Sequence, residues 1–263
     1  MVRDRFLGSR SVLTIVLLGA FAWSVLNVHW GRSLVHPGGL NALRELVSSI
    51  IRPDLSPNTL VTAFLASWTT VAYAIAGMTL AVAIGFPLGV IASGVLTRST
   101  WTRRASIAGT RSILAFFRSI HELVWAWLFV VALGLSPMAA VLALGIPYGG
   151  ILGRIYSELL QDVPADPLRA LRTAGASQLR VFWYGRFPMA LPDLVSYTFY
   201  RLECAVRSSA ILSFVGLGGL GQQIQLSLSD LAYGRMWAFV FPLIGMIVVV
   251  DLWSSMVRRR LSV

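Results

Sequence analysis

The amino-acid sequence predicts an all-α membrane protein with six transmembrane helices, and three observations carry that expectation. Hydrophobic residues make up 56% and charged residues only 13% of the 263 positions, which excludes a water-soluble globule. Six stretches supply the roughly 20 mostly apolar residues that a spanning helix needs: residues 11–29, 67–94, 112–134, 138–157, 193–215 and 236–257. The basic residues are all arginine, and most fall in the segments between these stretches, as the flanks of membrane spans do.

The first stretch follows Arg3, Arg5 and Arg10. It reads as a retained helix rather than a signal peptide, because no small-residue cleavage site precedes His29-Trp30-Gly31-Arg32. Beyond it Leu40, Leu43, Val47, Ile50 and Ile51 recur at helical spacing before Pro53. That pattern fits a short amphipathic helix on the outer membrane face and equally a plain extramembrane loop. Residues 1–57 are therefore expected to form an N-terminal unit and residues 58–263 a core of five helices.

Within the core, Gly85 with Gly89 and Gly145 with Gly149 are small-residue pairs one turn apart, which permit close helix approach. Pro87 and Pro147 lie inside them and predict kinks. The longest polar stretch is residues 158–192. Asp166-Pro167 predicts a helix start with the carboxylate at the N-cap, and Gly175 a helix end. A second short helix from Ser177 carries Leu179, Val181, Phe182 and Tyr184, and Pro188 and Pro192 are expected to stop it. Two short helices meeting at a glycine make either a knob for a groove on another protein or an amphipathic connector lying on headgroups. Gly216 to Gly221 satisfies G-x-G-x-x-G, but a membrane helix precedes it where a dinucleotide fold needs a strand. The run reads as an irregular turn, which at membrane depth must be buried or line a cavity.

Arginine placement sets the orientation. With the N-terminus inside, the inner segments hold Arg3, Arg5, Arg10, Arg98, Arg103, Arg104, Arg111, Arg154, Arg169, Arg172, Arg180, Arg186, Arg258, Arg259 and Arg260, whereas the outer ones hold Arg32, Arg44, Arg52 and Arg235. Both termini are then cytoplasmic. The net charge of +11 is a topological signal and gives no reason to expect a nucleic-acid partner.

Arg118, Glu122, Arg201, Glu203 and Arg207 remain inside predicted helices. Facing lipid, these five would cost about 12–17 kcal/mol at about 2.5–3.5 kcal/mol each, so they must face one another or a polar cavity. Arg118 with Glu122, and Glu203 with Arg207, are spaced to share a helical face. One reading is two structural ion pairs. The other is a weak, stepwise anion path, because the arginines outnumber the glutamates and a guanidinium fork matches a tetrahedral oxyanion.

Catalytic chemistry finds little material. The single Cys204 offers neither a disulfide nor a metal spacing. His121-Glu122 begins like a zinc-protease motif, but Trp125 occupies the second histidine position. There is no nucleophile elbow, and a chain without lysine cannot carry a P-loop. Rings of like polar residues, expected of a channel, are not found. Beside a conduit for a small anion, an intramembrane enzyme, a passive channel and a permease for another small solute such as an amino acid stand as the alternatives.

Ala170-Leu171, three residues, Gly175-Ala176 and then Phe187-Pro188 resemble the cytoplasmic loop motif of ABC importer permeases, Glu-Ala-Ala, three residues, Gly, nine residues, Ile, any residue, Leu-Pro. Arg169 stands in place of the glutamate, Leu171 of the second alanine, Gly185 of the isoleucine and Phe187 of the leucine. Phe117 to Trp125, Tyr184 to Pro188, Ser196 to Glu203 and Val206 to Gly221, in that order, look like phosphonate-type permease subunits. The close match spans about residues 115–224.

The resemblance implies a type I ABC importer permease fold in the cytoplasmic (inner) membrane. It implies a homodimer with two ATPase subunits and an extracytoplasmic binding protein, and transport of phosphonate, phosphite or a related oxyanion by alternating access. Arg169, Ala170, Leu171, Gly175, Ala176 and Ser177 would dock the ATPase, and Gly216, Gly218, Gly219 and Gly221 would give the backbone flexibility near an outer gate. ATP and Mg would belong to the partner ATPase, and no cofactor is expected on this chain.

Overall fold

The computed structural model describes residues 4–27, 38–97 and 100–261, and among them every regular element is helical. Arg3, Arg32, Arg98 and the His29–Arg32 stretch lie outside the described residues. The chain divides into two compact units, Met1–Ser48 and Ser49–Val263.

The first unit holds α1 (Asp4–Asn27) and α2 (Gly39–Ser48). Ser11–Asn27 of α1 is a mostly apolar stretch, with Ser11, Thr14, Ser24 and Asn27 as its polar members. The segment that left helix and loop open is a helix, α2, and its Leu40, Leu43 and Val47 share one face.

The second unit begins with a single 3₁₀ turn, Ser49–Ile51, and then α3 (Pro57–Ser93), ten residues longer at its start than the predicted span. Its polar first turn misled the hydropathy reading. Pro57 sits where its missing N–H costs nothing. Asp54 accepts from the Ser56 amide (3.1 Å) and from Thr59 Oγ1 (2.8 Å). Those hydrogen bonds hold the Asp54 carboxyl below its ordinary value, the Ser56 amide contributing most.

The expected span 112–134 is not one helix. α4 (Thr100–Ser119) and α5 (Glu122–Leu133) meet at 85°. The cause is a cap inside an apolar run: His121 Nδ1 accepts the Leu123 amide at 3.3 Å, and the Glu122 carboxylate lies in the first turn of α5, where the helix dipole favours it.

α6 (Pro137–Asp162) is the central element, packed on α3, α4, α5 and α9. Its glycines explain how. A Cβ on Gly85 of α3 would lie 2.9 Å from the Gly149 carbonyl oxygen, and one on Gly89 would lie 2.9 Å from that of Gly153. On the neighbouring face Gly150 admits the α4 backbone, where a Cβ would lie 2.9 Å from the Leu114 carbonyl oxygen. The close pair on α6 is thus Gly149 with Gly153, while Gly145 receives the Leu80 side chain.

Pro188 and Pro192 do not stop the chain. After α7 (Ala165–Thr173) and α8 (Gln178–Val181), a π turn over Phe182–Arg186 leads directly into α9 (Phe187–Leu212), which contains both prolines. The Phe187 amide bonds to the Phe182 carbonyl five residues back, and this extra residue accommodates the proline-rich first turn of α9. The connection between the two long helices α6 and α9 therefore lies between Asp162 and Phe187, narrower than 158–192.

A 3₁₀ turn (Ser213–Val215) and a glycine turn join α9 to α10 (Leu220–Ser229) at 42°, and α11 (Tyr233–Leu261) closes the unit. By length and composition α3, α6 and α11 can each span a membrane, and the two bent pairs raise the number to five.

Candidate functional site

Three arginines from three helices converge on one cleft of about 470 Å³: Arg118 at the end of α4, Arg154 in α6 and Arg201 in α9, with Tyr197 between them. Arg154 is paired with Glu158 at 2.5 Å. Arg201 donates from Nε to Tyr197 Oη (2.9 Å), and its guanidinium carbon lies 5.5 and 5.7 Å from the Tyr197 and Tyr200 ring centres. Stacking of this kind orients the fork while leaving its other N–H groups free. Arg118 has no acidic partner among the described residues. The cleft thus carries more positive than negative charge, and its donors suit an oxyanion.

The expected pair of Arg118 with Glu122 does not form, because the 85° break puts them on different helices. Glu122 instead accepts from Ser208 Oγ (2.7 Å) and lies 3.6 Å from His121 Nε2. The Ser208 hydroxyl proton is committed to the carboxylate, so in its 2.9 Å contact with Tyr148 the tyrosine donates. This network ties α5, α9 and α6 at the break.

Glu203 and Arg207 do meet, and a third group joins them: Arg258 Nη2 of α11 lies 3.6 Å from the buried Glu203 carboxylate. Arg207 remains about half exposed.

The glycine run is a defined turn. Gly216, Gly218 and Gly219 have φ of +92°, +93° and +92°, which disfavour side chains. Gly221 lies beyond it, within α10, its Cα pressed against the Ala210 carbonyl. Buried Thr70 anchors the turn: its Oγ1 accepts the Leu220 amide (3.0 Å) and donates to the Ala66 carbonyl (2.9 Å), while its own carbonyl accepts Ser209 Oγ (2.8 Å).

The loop helices meet at Gly175, φ +83°. The Ala176 amide bonds to the Leu171 carbonyl (3.1 Å) and the Gly175 amide to that of Arg172 (3.0 Å), the two bonds of a Schellman end. Asp166 is the second residue of α7 rather than its N-cap, since the helix begins at Ala165 after Pro164, and its carboxylate pairs with exposed Arg169 at 3.3 Å. Behind this surface Leu168 and Leu171 cover Gly185. No three His, Cys, Asp or Glu side chains among the described residues converge as metal ligands.

Residues 85–263 match the family model described as "Binding-protein-dependent transport system inner membrane component". The chain belongs to this permease family. It is 32% identical over 248 residues to the putative phosphite transport system permease protein HtxC of Stutzerimonas stutzeri, covering 94% of this chain and 84% of that one. To the phosphite transport system permease protein PtxC of the same organism it is 29% identical, over 84% and 78% of the two chains. The inward-facing MetNI methionine ABC transporter superposes with a TM-score of 0.68 at 22% identity, over 80% of this chain and all of that one, which shows a shared fold.

As an ABC importer permease, the chain is an inner-membrane component and not itself an ATPase, and the family implies ATPase and binding-protein partners. Within the permease, Arg154 and Arg258 are the cleft and network members that sequence reasoning had placed on the cytoplasmic flanks. A signal for Arg154 existed, since it falls inside the apolar stretch 138–157. Arg258 gave none, being one of a run of three at a helix end.

Proposed function

We propose that the chain is the permease subunit through which an ATP-driven importer moves a small phosphorus oxyanion, such as phosphite or a phosphonate, across the cytoplasmic membrane. The observation that carries the substrate class is the cleft in which Arg118 and Arg201 lack carboxylate partners. The phosphite permeases among its relatives support the same class. Arg207 lies about 9 Å further along α9 at about 1.5 Å per residue, giving an anion a second, weaker contact. Glu122 and Glu203 position the path rather than bind the anion.

Two copies enclose the path, with both termini cytoplasmic. Two ATPase subunits dock at Arg169, Ala170, Leu171, Gly175, Ala176 and Ser177, and an extracytoplasmic protein delivers the anion at the turn of Gly216, Gly218 and Gly219. ATP and Mg are held by the ATPases, and the permease itself carries no cofactor. Moving a two-state gate from 1:99 to 99:1 takes about 5.5 kcal/mol, so both coupling loops contribute. Reconstitution with the binding protein and ATPase, followed by uptake competition among phosphite, methylphosphonate, phosphate and methionine, tests the reading. Competition by the phosphorus oxyanions supports it, and competition by methionine alone refutes it.

A further inference from the structure

A second cluster of cationic groups lies away from the cleft, where the coupling loop meets the ends of α3, α4 and α6. Arg103 of α4, Arg172 of α7 and Arg186 of the π turn line a cavity of about 450 Å³ together with Thr97, Gln161 and Gln178, and no carboxylate among the described residues lines it. Arg186 is anchored, donating from Nη1 to the Leu160 carbonyl at the end of α6. Gln161 is anchored too, its Nε2 donating to the Ser93 carbonyl at 3.1 Å, which leaves its side-chain oxygen and the Gln178 amide toward the cavity. The guanidinium groups of Arg103 and Arg172 make no ion pair or hydrogen bond among the described residues.

Three guanidinium groups around one polar hollow repel one another unless an anion sits among them. Forked donors from three directions fit the oxygens of a tetrahedral phosphate, and a single carboxylate would leave one fork unmatched. The groups come from separate elements, so an occupant bridges α4 to both coupling-loop helices.

We propose that this cavity binds a phosphate group, from free oxyanion or from a phospholipid head, and that its occupancy holds the coupling loop against the ends of α3 and α4. Because the loop is also the surface proposed to meet the ATPase, the anion and the ATPase influence each other's binding reciprocally. The binding step stands independently of whether the Arg118–Arg201 cleft passes an anion.

The test labels the full chain with phenylglyoxal, which modifies free guanidinium groups, and reads each arginine by mass spectrometry. The chain is placed in nanodiscs of neutral digalactosyldiacylglycerol, whose head carries no phosphate, with and without inorganic phosphate, and in nanodiscs containing phosphatidylglycerol without inorganic phosphate. The expected result is that Arg103 and Arg172 are protected about tenfold, the effect of a charge-assisted hydrogen bond, while exposed Arg169 reacts at one rate throughout. Protection by phosphate in neutral lipid assigns the free anion, and protection by phosphatidylglycerol alone assigns the lipid head. Arg172→Gln, which removes an exposed side chain without touching the Arg186 anchor, should abolish protection at Arg103. Equal labelling of Arg103, Arg172 and Arg169 in all three settings would overturn the proposal, as would undiminished protection at Arg103 in Arg172→Gln.

Discussion

Leu171 of α7 and Gly185 of the π turn are complementary: a Cβ placed on Gly185 would lie 2.7 Å from Leu171 Cδ1 and 2.9 Å from Leu168 Cδ2. The related loop motif has a small residue at the first position and isoleucine at the second, so bulk has moved from one helix to the other across the same contact. Gly185→Ile alone should therefore overpack the loop, at about 1–3 kcal/mol. Combined with Leu171→Ala it should recover most of that loss. Thermal unfolding of the four proteins of this cycle in detergent checks the coupling, and additive effects would show that the two sites do not share space.

At Gly85 and Gly89 the contact of α3 with α6 is backbone on backbone, where nothing can rotate away. Gly85→Val should cost about 3 kcal/mol or prevent folding, since the Gly149 carbonyl is in the way. Gly245→Ala of α11, with nothing within 4 Å of its Cβ, should be neutral or slightly stabilising, by up to about 1 kcal/mol. Comparing the yield and melting of the two variants separates close packing from a general glycine effect.

Thr70→Val keeps shape but removes the acceptor of the Leu220 amide. An unsatisfied buried donor costs about 1–3 kcal/mol, and the loss should be confined to the turn of Gly216 to Gly219. Faster amide exchange at Leu220, measured by mass spectrometry, is the expected sign; unchanged exchange would mean that the turn is held by something else.

Asp54 links pH to the start of α3. Its folded-state carboxyl is held below the ordinary aspartate value of 3.8, so the stabilisation is complete above that value and is lost as pH falls toward the lower folded one. Asp54→Asn should lower stability near neutrality, where the charged carboxylate contributes, and the two proteins should converge as pH falls and the Asp54 contribution is lost. Melting temperature against pH, compared between the two proteins, reads it directly.

The loop corner at Gly175, proposed to dock the ATPase, has its own test. Gly175 has open space around it but a left-handed backbone, so Gly175→Val strains the corner where Gly175→Asn does not. Uptake should fall at least about tenfold in the valine variant and recover in the asparagine variant, with membrane insertion intact in both. Equal uptake by the two would separate the corner from transport.

The helical membrane fold was legible because hydropathy responds to the bilayer itself. What hydropathy missed were breaks made by single side chains. His121 caps a helix in the middle of an apolar run, so 112–134 reads as one span although it is two helices. Pro188 and Pro192 read as stops because sequence rules assume an α-helical turn before them, whereas a π turn precedes α9. At the cleft, charge counting left one arginine over but paired Arg118 with Glu122 by spacing along one helix where the chain forms two. The partner across helices, Arg258 for Glu203, depends on tertiary packing and leaves no periodic trace, whereas Tyr197 stands four residues before Arg201 on α9 and was open to a spacing argument.

The proposed function rests on unpaired guanidinium groups in the cleft carrying a phosphorus oxyanion. Its most direct measurement is ATP-driven phosphite uptake by the reconstituted importer bearing Arg118→Gln with Arg201→Gln, with assembly and ATPase turnover measured alongside. Uptake should fall about a hundredfold, as expected from losing two charge-assisted contacts, while assembly and ATPase turnover persist. Uptake at the unaltered rate with assembly intact would contradict the account.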